Sequence, residues 1–236
     1  MLKLGVPSKG RLQEETIRWF GARGVTLART GGDREYRGTV EGIPGVELVL
    51  LSAGEIPGEL LSGRLHLGVT GQDLIRERLP RWQDRVAELA PMGFGRADLV
   101  VAVPGFWIDV RDMGDLDAAA GAFRARHGHR LRVATKYHHL VRSFFERHGI
   151  ADYQLVDSQG ATEGAVKNLT AEAIADITST GSTLRDNHLR VLDDGLILRS
   201  EATLFLAHDA AWDTAAQATL AALRDRLGIA EPAATG

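Results

Sequence analysis

The chain has 236 residues, of which 28 are basic and 31 acidic for a formal net charge of −3, and it contains no cysteine. Near-neutral charge excludes long-range attraction to nucleic acid or to an anionic membrane, and the absence of thiols excludes disulfides, cysteine nucleophiles and cysteine-rich zinc sites. The opening Met1-Leu2-Lys3-Leu4-Gly5-Val6-Pro7 is too short and too soon interrupted for a secretory apolar core, and no apolar run approaches membrane-spanning length, so a soluble cytoplasmic protein is expected.

The length accommodates one large domain or two lobes of about 100 residues each. From the start, short apolar runs alternate with helical patterns: a strand over 2–6, a helix over 12–22, then apolar runs over 46–51, 56–61 and 65–70. This alternation predicts an α/β fold with a mostly parallel sheet. Residues 99–103 form a continuous hydrophobic strand punctuated by Pro104-Gly105, which predicts a crossing into a second lobe. There the plan repeats: helix over 115–127, strand over 131–134, helix over 137–148, strand over 153–156, helix over 162–169 and strand over 173–177. Strands over 189–192 and 196–206 follow, with Asp193-Asp194-Gly195 as a tight turn between them, and a last amphipathic helix spans 210–227. The expected division is a first lobe over 1–97 to which 192–230 return, a second lobe over 98–191, and a disordered small-residue tail over 231–236. Two such lobes create a cleft at the carboxyl ends of parallel strands, the usual place for a ligand.

The chemistry concentrates in Ala175-Asp176-Ile177-Thr178-Ser179-Thr180-Gly181-Ser182-Thr183-Leu184. A buried strand here ends in hydroxyl-rich residues and opens into a helix, so outward N–H groups, small side chains and Gly181 suit a phosphate. Asp176 is repelled by a phosphate unless it faces sugar hydroxyls or a metal ion, and phosphate plus sugar indicates a phosphorylated ribose. The plainer reading is a Ser/Thr-capped helix after a buried strand. Neither the G-x-x-x-x-G-K-[ST] loop nor the G-x-G-x-x-G fingerprint is present. Pro7-Ser8-Lys9-Gly10-Arg11-Leu12 places two cations and a glycine at another strand end, where they serve either polyphosphate or solvent. Gly68-Val69-Thr70-Gly71-Gln72-Asp73 is a further strand-to-helix turn exposing backbone donors, with Asp73 complementing the helix dipole. Thr135-Lys136-Tyr137-His138-His139 opens a helix, so its hydroxyl and cation can reach the cleft; adjacent histidines do not share a helix face, and no zinc site is expected from them. The basic run Arg124 to Arg130 reads as a solvated helix end, and Trp19, Trp82, Trp107 and Trp212 as packing residues.

In this order and spacing, three blocks resemble the ATP phosphoribosyltransferase family in its short form: the opening Pro-Ser-Lys-Gly-Arg-Leu, the stretch from Glu55-Ile56-Pro57 through Gly63 to Leu67-Gly68-Val69-Thr70-Gly71-Gln72-Asp73, and Asp176 to Leu184 against the family's "D-[LIV]-x-S-T-G-x-T-L". The resemblance implies a two-lobed fold similar to type II periplasmic binding proteins. It implies transfer of the 5-phosphoribosyl group from phosphoribosyl pyrophosphate to N1 of ATP, with Mg2+, as the first step of histidine biosynthesis. A chain ending near residue 230 leaves no room for the long form's regulatory domain, so a histidyl-tRNA-synthetase-like regulatory subunit is the implied partner, in a homodimer or larger hetero-oligomer. Departures from the family pattern fall at Ser52, Glu55, His66, Asp98 and Leu169.

On this footing Thr178, Ser179, Thr180, Gly181, Ser182 and Thr183 hold the 5-phosphate, while Asp176 binds the ribose hydroxyls and favours oxocarbenium-like charge. Glu163 assists Asp176 or binds magnesium, the metal ligands being otherwise open. Lys9 and Arg11, with Arg34, take the pyrophosphate or the ATP phosphates, together with the turn at Gly71. The purine N1 has its own lone pair, so no general base is required. The rival functions are a non-catalytic two-lobed small-anion binding module and a catalytically weakened subunit of such an assembly, the latter prompted by Ser52 and Asp98.

Overall fold

The computed structural model describes residues 1–29, 37–158 and 160–230. In chain order its elements are β1 (Leu2–Pro7), α1 (Gly10–Gly21), β2 (Thr26–Arg29), β3 (Arg37–Glu41), β4 (Val46–Leu51), α2 (Ile56–Leu61), β5 (Leu67–Gly71), α3 (Gln72–Arg78), a 3-10 turn (Trp82–Asp84) and β6 (Val86–Pro91). There follow β7 (Ala97–Pro104), α4 (Met113–His127), β8 (Leu131–Thr135), α5 (His138–Arg147), β9 (Tyr153–Asp157), α6 (Gly164–Lys167), β10 (Ala173–Thr178), α7 (Ser182–Asp186), β11 (Leu189–Ser200), β12 (Ala202–Ala207) and α8 (Thr214–Leu227).

Two compact units form. The first holds Met1–Gly95 and the chain from Glu201 onward, built on a seven-stranded sheet of order β2-β3-β4-β1-β5-β12-β6. Strand β1 lies parallel to both β4 and β5, flanked on each edge as a near-continuous apolar run requires. Its Leu2, Leu4 and Val6 pack with Phe20 of α1 and with Leu223 and Leu227 of α8 in the main core. Helix α8 is bounded by its own chemistry: the Asp213 carboxylate accepts the Ala216 N–H at 2.6 Å, and Gly228 closes it in the left-handed region.

The second unit, Arg96–Ser200, has a five-stranded sheet of order β11-β7-β10-β8-β9. Its β7 is hydrophobic on both faces because both are covered. Leu99, Val101 and Val103 meet Met113 and Leu116 of α4 and Val141 and Phe145 of α5, whereas Val100 and Ala102 share a second cluster with Ile174 of β10 and Leu184 of α7. Helix α4 opens on a capping box in which Asp112 accepts the Asp115 N–H and the Asp115 carboxylate accepts back from the Asp112 N–H.

The sheets are mixed rather than mostly parallel, since β2, β3, β6, β7, β11 and β12 all make antiparallel pairs. The tight turn expected at 193–195 does not form. Strand β11 runs through it with register shifts while pairing β7 from Pro104 down to Ala97, a bulged continuation in place of a hairpin. Residues 192–200, expected to return to the first lobe, therefore stay with the second unit, and the strand expected over 196–206 is split at Glu201. The helix expected over 162–169 contracts to the four residues of α6, because Leu169 takes a left-handed φ of 56° that no helix continues through. Residues 231–236 lie outside the described residues.

Candidate active site

Strand β10 is held between β7, antiparallel, and β8, parallel. The β8 pairing stops at Ala175 opposite Thr135, whereas β7 continues alongside through Thr178. Ala173, Ile174 and Ala175 are fully buried, and Asp176 is the first residue beyond the end of β8. It is half-buried and shares a sheet face with Ile174 and its register partner Val100, the face covered by α6 and α7.

Around Asp176 the ends of three strands meet. Its Oδ1 accepts the Ile177 N–H at 2.9 Å, and the Thr162 hydroxyl lies near the carboxylate. Lys136, just after β8, brings a positive charge near while its Nζ donates to the Gly160 carbonyl at 2.6 Å. Burial pushes the Asp176 carboxyl above the ordinary carboxylate range; the Ile177 N–H, the Thr162 hydroxyl and Lys136 pull it back, and Glu163, at the start of α6, pushes it up again.

Beyond Thr178 the chain folds into a loop that uses some of its own donors. The Thr178 Oγ1 accepts the Gly181 N–H at 2.9 Å and the Thr180 Oγ1 accepts the Ser182 N–H at 3.3 Å. The Ser179 hydroxyl donates to the Arg96 carbonyl at 3.1 Å. Left without a hydrogen bond among the described residues are the backbone N–H groups of Ser179, Thr180 and Thr183. A cavity of about 300 Å³ opens there, lined by Ala97 and residues 177–180, 182 and 183. Glycine suits position 181: its φ is +70°, and a β-carbon would sit 3.0 Å from the Arg185 Nη1, which would have to give way. That guanidinium donates to the Thr180 carbonyl at 3.1 Å and holds the loop from behind. Because α7 has five residues, its dipole is small, and the loop's individual N–H groups and hydroxyls make up the anion-binding capacity.

Lys9, Arg11 and Gly71 belong to the first unit. Lys9 is the exposed, extended residue before α1, and Arg11, also exposed, reaches Glu15 at 3.4 Å. Gly71 ends β5 and precedes α3, but the Gln72 N–H that follows it is engaged by the Glu201 carbonyl at 3.2 Å. Arg34 lies outside the described residues.

The positions that depart from the family pattern carry local structural bonds. Glu55 Oε2 accepts from both the N–H and the hydroxyl of Ser52, at 2.9 and 2.7 Å, and the Ser52 hydroxyl holds the Glu55 carboxyl below its usual range. His66 is buried, its Nδ1 accepting the Lys3 N–H at 3.1 Å and its Nε2 facing the Ala211 carbonyl at 3.1 Å, with Trp212 edge-on. This arrangement fits the neutral tautomer with a proton on Nε2. Asp98 sits in register between Thr178 of β10 and Arg199 of β11. Sequence reasoning missed Thr162 and Arg185. Neither belongs to a motif by spacing, and only their contacts with Asp176 and Thr180 single them out.

Among the described residues no group of three or more His, Asp or Glu side chains is placed to hold a metal. What the chain offers beside the loop is a pair of carboxylates, Asp176 and Glu163. That donor set fits a hard divalent ion held mainly by substrate phosphate oxygens and water.

Two α/β units of this make-up have the type II periplasmic-binding-protein-like fold. An arginine-binding-protein mutant from Thermotoga maritima shares the fold with a TM-score of 0.52 at 13% identity, covering 96% of this chain and 87% of that one. A solved ATP phosphoribosyl transferase (HisG:HisZ) complex, also from Thermotoga maritima, aligns with a TM-score of 0.72 at 22% identity over 97% of this chain and 96% of that one. The profile of the HisG family, described as ATP phosphoribosyltransferase, matches residues 52–228. An ATP phosphoribosyltransferase of Cereibacter sphaeroides is 66% identical over 233 residues, covering 99% of this chain and 98% of that protein. One from Rhodopseudomonas palustris is 54% identical over 224 residues, 95% of this chain and 69% of the longer relative. The chain belongs to the ATP phosphoribosyltransferase family.

Proposed function

We propose that the chain transfers the 5-phosphoribosyl group from phosphoribosyl pyrophosphate to N1 of ATP, giving phosphoribosyl-ATP and pyrophosphate, the first step of histidine biosynthesis, and that the turn after β10 holds the donor. One observation carries the placement: available N–H groups and hydroxyls line a small cavity directly beyond a half-buried carboxylate, in a chain of this family.

Breaking the C1–O bond develops positive charge on the ribose and negative charge on the departing pyrophosphate, so the protein's work is positioning and electrostatics. Residues 178–183 hold the 5-phosphate through N–H groups and hydroxyls. Asp176 accepts hydrogen bonds from the ribose hydroxyls and its charge favours the oxocarbenium-like ring, with Glu163 adding negative potential beside it. Lys9 and Arg11 serve the phosphates of ATP or the pyrophosphate. The adenine N1 attacks with its own lone pair. Magnesium is the divalent ion we assign, neutralising pyrophosphate charge when bound; Glu163 is the side chain we assign to it.

A histidyl-tRNA-synthetase-like regulatory subunit is the proposed partner, in keeping with the two-component HisG:HisZ make-up of the Thermotoga complex, within a homodimer or larger hetero-oligomer. A cytoplasmic location suits a reaction that consumes ATP, and among the described residues no helix is long and apolar enough to cross a membrane. The test is pyrophosphate release from ATP and phosphoribosyl pyrophosphate, with and without the partner subunit. Release is expected to require both substrates; its absence in both arms returns the chain to the binding-module reading, and release only with the partner marks a weakened subunit. Lys9→Ala is expected to raise the KM of a phosphorylated substrate about tenfold, and unchanged kinetics remove Lys9 from the site.

A further inference from the structure

We propose that Arg185 is a positioning residue that locks the Thr180–Gly181 peptide with its carbonyl turned away from the 5-phosphate, so that the loop presents N–H groups and hydroxyls to the anion and not a carbonyl oxygen. The inference rests on the reading of the turn after β10 as the phosphate site.

The peptide between Thr180 and Gly181 is held at both poles. At one, the Arg185 Nη1 donates to the Thr180 carbonyl at 3.1 Å. At the other, the Gly181 N–H donates to the Thr178 Oγ1 at 2.9 Å. A hydroxyl oxygen that accepts keeps its own proton, so Thr178 remains able to donate to an anion. Arg185 is itself anchored: its N–H donates to the Gly181 carbonyl at 3.1 Å and its carbonyl accepts the His188 N–H at 2.9 Å. Its neighbour Leu184 is buried in the cluster with Val100 and Ile174. The guanidinium makes no ion pair among the described residues, so no carboxylate draws it off the carbonyl.

The place of this lock gives it its consequence. Of residues 177–183 only Gly181 is absent from the lining of the cavity, and Arg185 is absent too. The Thr180 carbonyl, directed at Arg185, therefore faces away from the anion. Half a turn of that peptide would bring its oxygen to the cavity side, where the negative end of the dipole repels a phosphate. Such a turn is cheap beside glycine, which has no β-carbon to oppose either backbone state. The same absence admits the guanidinium, because a β-carbon at 181 would stand 3.0 Å from its Nη1. Glycine thus frees the peptide to turn and makes room for the side chain that stops it. Of the two holds the guanidinium's is the stronger in kind, since its donor is charged and the Thr178 bond joins neutral groups.

The experiment takes Arg185→Ala and Thr178→Val, singly and together, and measures steady-state kinetics in both substrates with inhibition by ribose 5-phosphate and by pyrophosphate. Arg185→Ala is expected to raise the KM for phosphoribosyl pyrophosphate and the inhibition constant of ribose 5-phosphate by one common factor, about five- to twentyfold, the worth of an exposed hydrogen bond from a charged donor. Inhibition by pyrophosphate is expected to stay unchanged and kcat to stay within about twofold, because the bond acts equally in the ground and transition states. A general loosening of the fold would weaken both inhibitors alike. In the Thr178→Val background Arg185→Ala is expected to cost only about threefold or less, since one pole of the peptide is already released. Wild-type affinity for ribose 5-phosphate in Arg185→Ala, an equal weakening of pyrophosphate, or losses that multiply in full in the double variant overturns the inference while the site stands. Ribose 5-phosphate that fails to compete with phosphoribosyl pyrophosphate in the unaltered enzyme instead overturns the placement of the phosphate at this loop, and the inference with it.

Discussion

Strand β10 is bracketed by two carboxylates with opposite circumstances. Glu172, just before its start, is nearly covered and fully partnered: it accepts the Arg132 backbone N–H at 2.7 Å and the guanidinium at 2.5 and 3.2 Å, and its own N–H returns to the Arg132 carbonyl at 3.0 Å. Burial alone pushes its carboxyl up, but the hydrogen bonds and charge of Arg132 outweigh burial and hold it below the ordinary 4.5. Asp176, toward the other end, is also drawn from water but meets no guanidinium among the described residues, and burial leaves it above the ordinary 3.8. The first carboxylate has its partner in the fold. The second is left with capacity for something the fold does not contain, the pattern of a functional group kept at the expense of stability.

The sharpest way to break this comparison is Asp176→Asn. It is expected to lower kcat on the order of 10²–10³-fold while leaving the thermal midpoint equal or higher at neutral pH, because a charge disfavoured by burial has gone. Activity assays and melting curves on one preparation decide it, and a parallel fall in both makes Asp176 structural. Glu172→Gln should do the reverse, costing about 1–3 kcal/mol of stability with little change in kcat of the folded enzyme. Denaturant midpoints read that effect, and a kcat loss larger than the stability loss makes Glu172 part of the site.

Acid titration of stability sharpens the contrast, since the two signs differ. The folded pKa of Glu172 is depressed, so its contribution is present above the unfolded value near 4.5 and is lost as pH falls through the folded value. The folded pKa of Asp176 is raised, so ionisation weakens the fold as pH rises from the unfolded 3.8 through the folded value. Relative to wild type, Glu172→Gln is therefore expected to be most destabilised above that acid range, and Asp176→Asn to gain relative stability on rising through it. Slopes of the same sign in the two difference curves contradict the comparison.

The smallest expected effect belongs to Leu169, whose carbonyl accepts from the Arg132 Nη2 at 3.1 Å at the Glu172 end. Its side chain is 80% exposed and its φ is 56°. Leu169→Gly is expected to stabilise by about 0.5–1 kcal/mol, relieving left-handed strain while keeping that hydrogen bond. A lower melting temperature shows instead that the exposed leucine packs against something in solution.

The linear order of residues already carried the alternation of strands and helices, the small-residue loop after Asp176 and the family blocks that surround it. Those are local properties: apolar runs, glycine at a left-handed turn and hydroxyls two to seven residues from the acid all act over distances the chain itself spans. The stretch 189–206 was misread for the complementary reason. Asp193-Asp194-Gly195 has the composition of a tight turn, but pairing with β7 on both sides of it keeps one bulged strand. Composition also leaves open which carboxylate meets a guanidinium and which keeps capacity for a ligand. Arg132 lies 40 residues from Glu172, and Thr162 reaches Asp176 only because β9 and α6 bring it there. The helix expected over 162–169 shows the same division, its apolar residues visible in advance and its early end at Leu169 decided by a backbone turn. Local pattern determines which elements form and where an anion finds donors. Partners far apart in the chain, which meet only when strands pair, determine which acid is neutralised by the fold and which is left to meet a ligand.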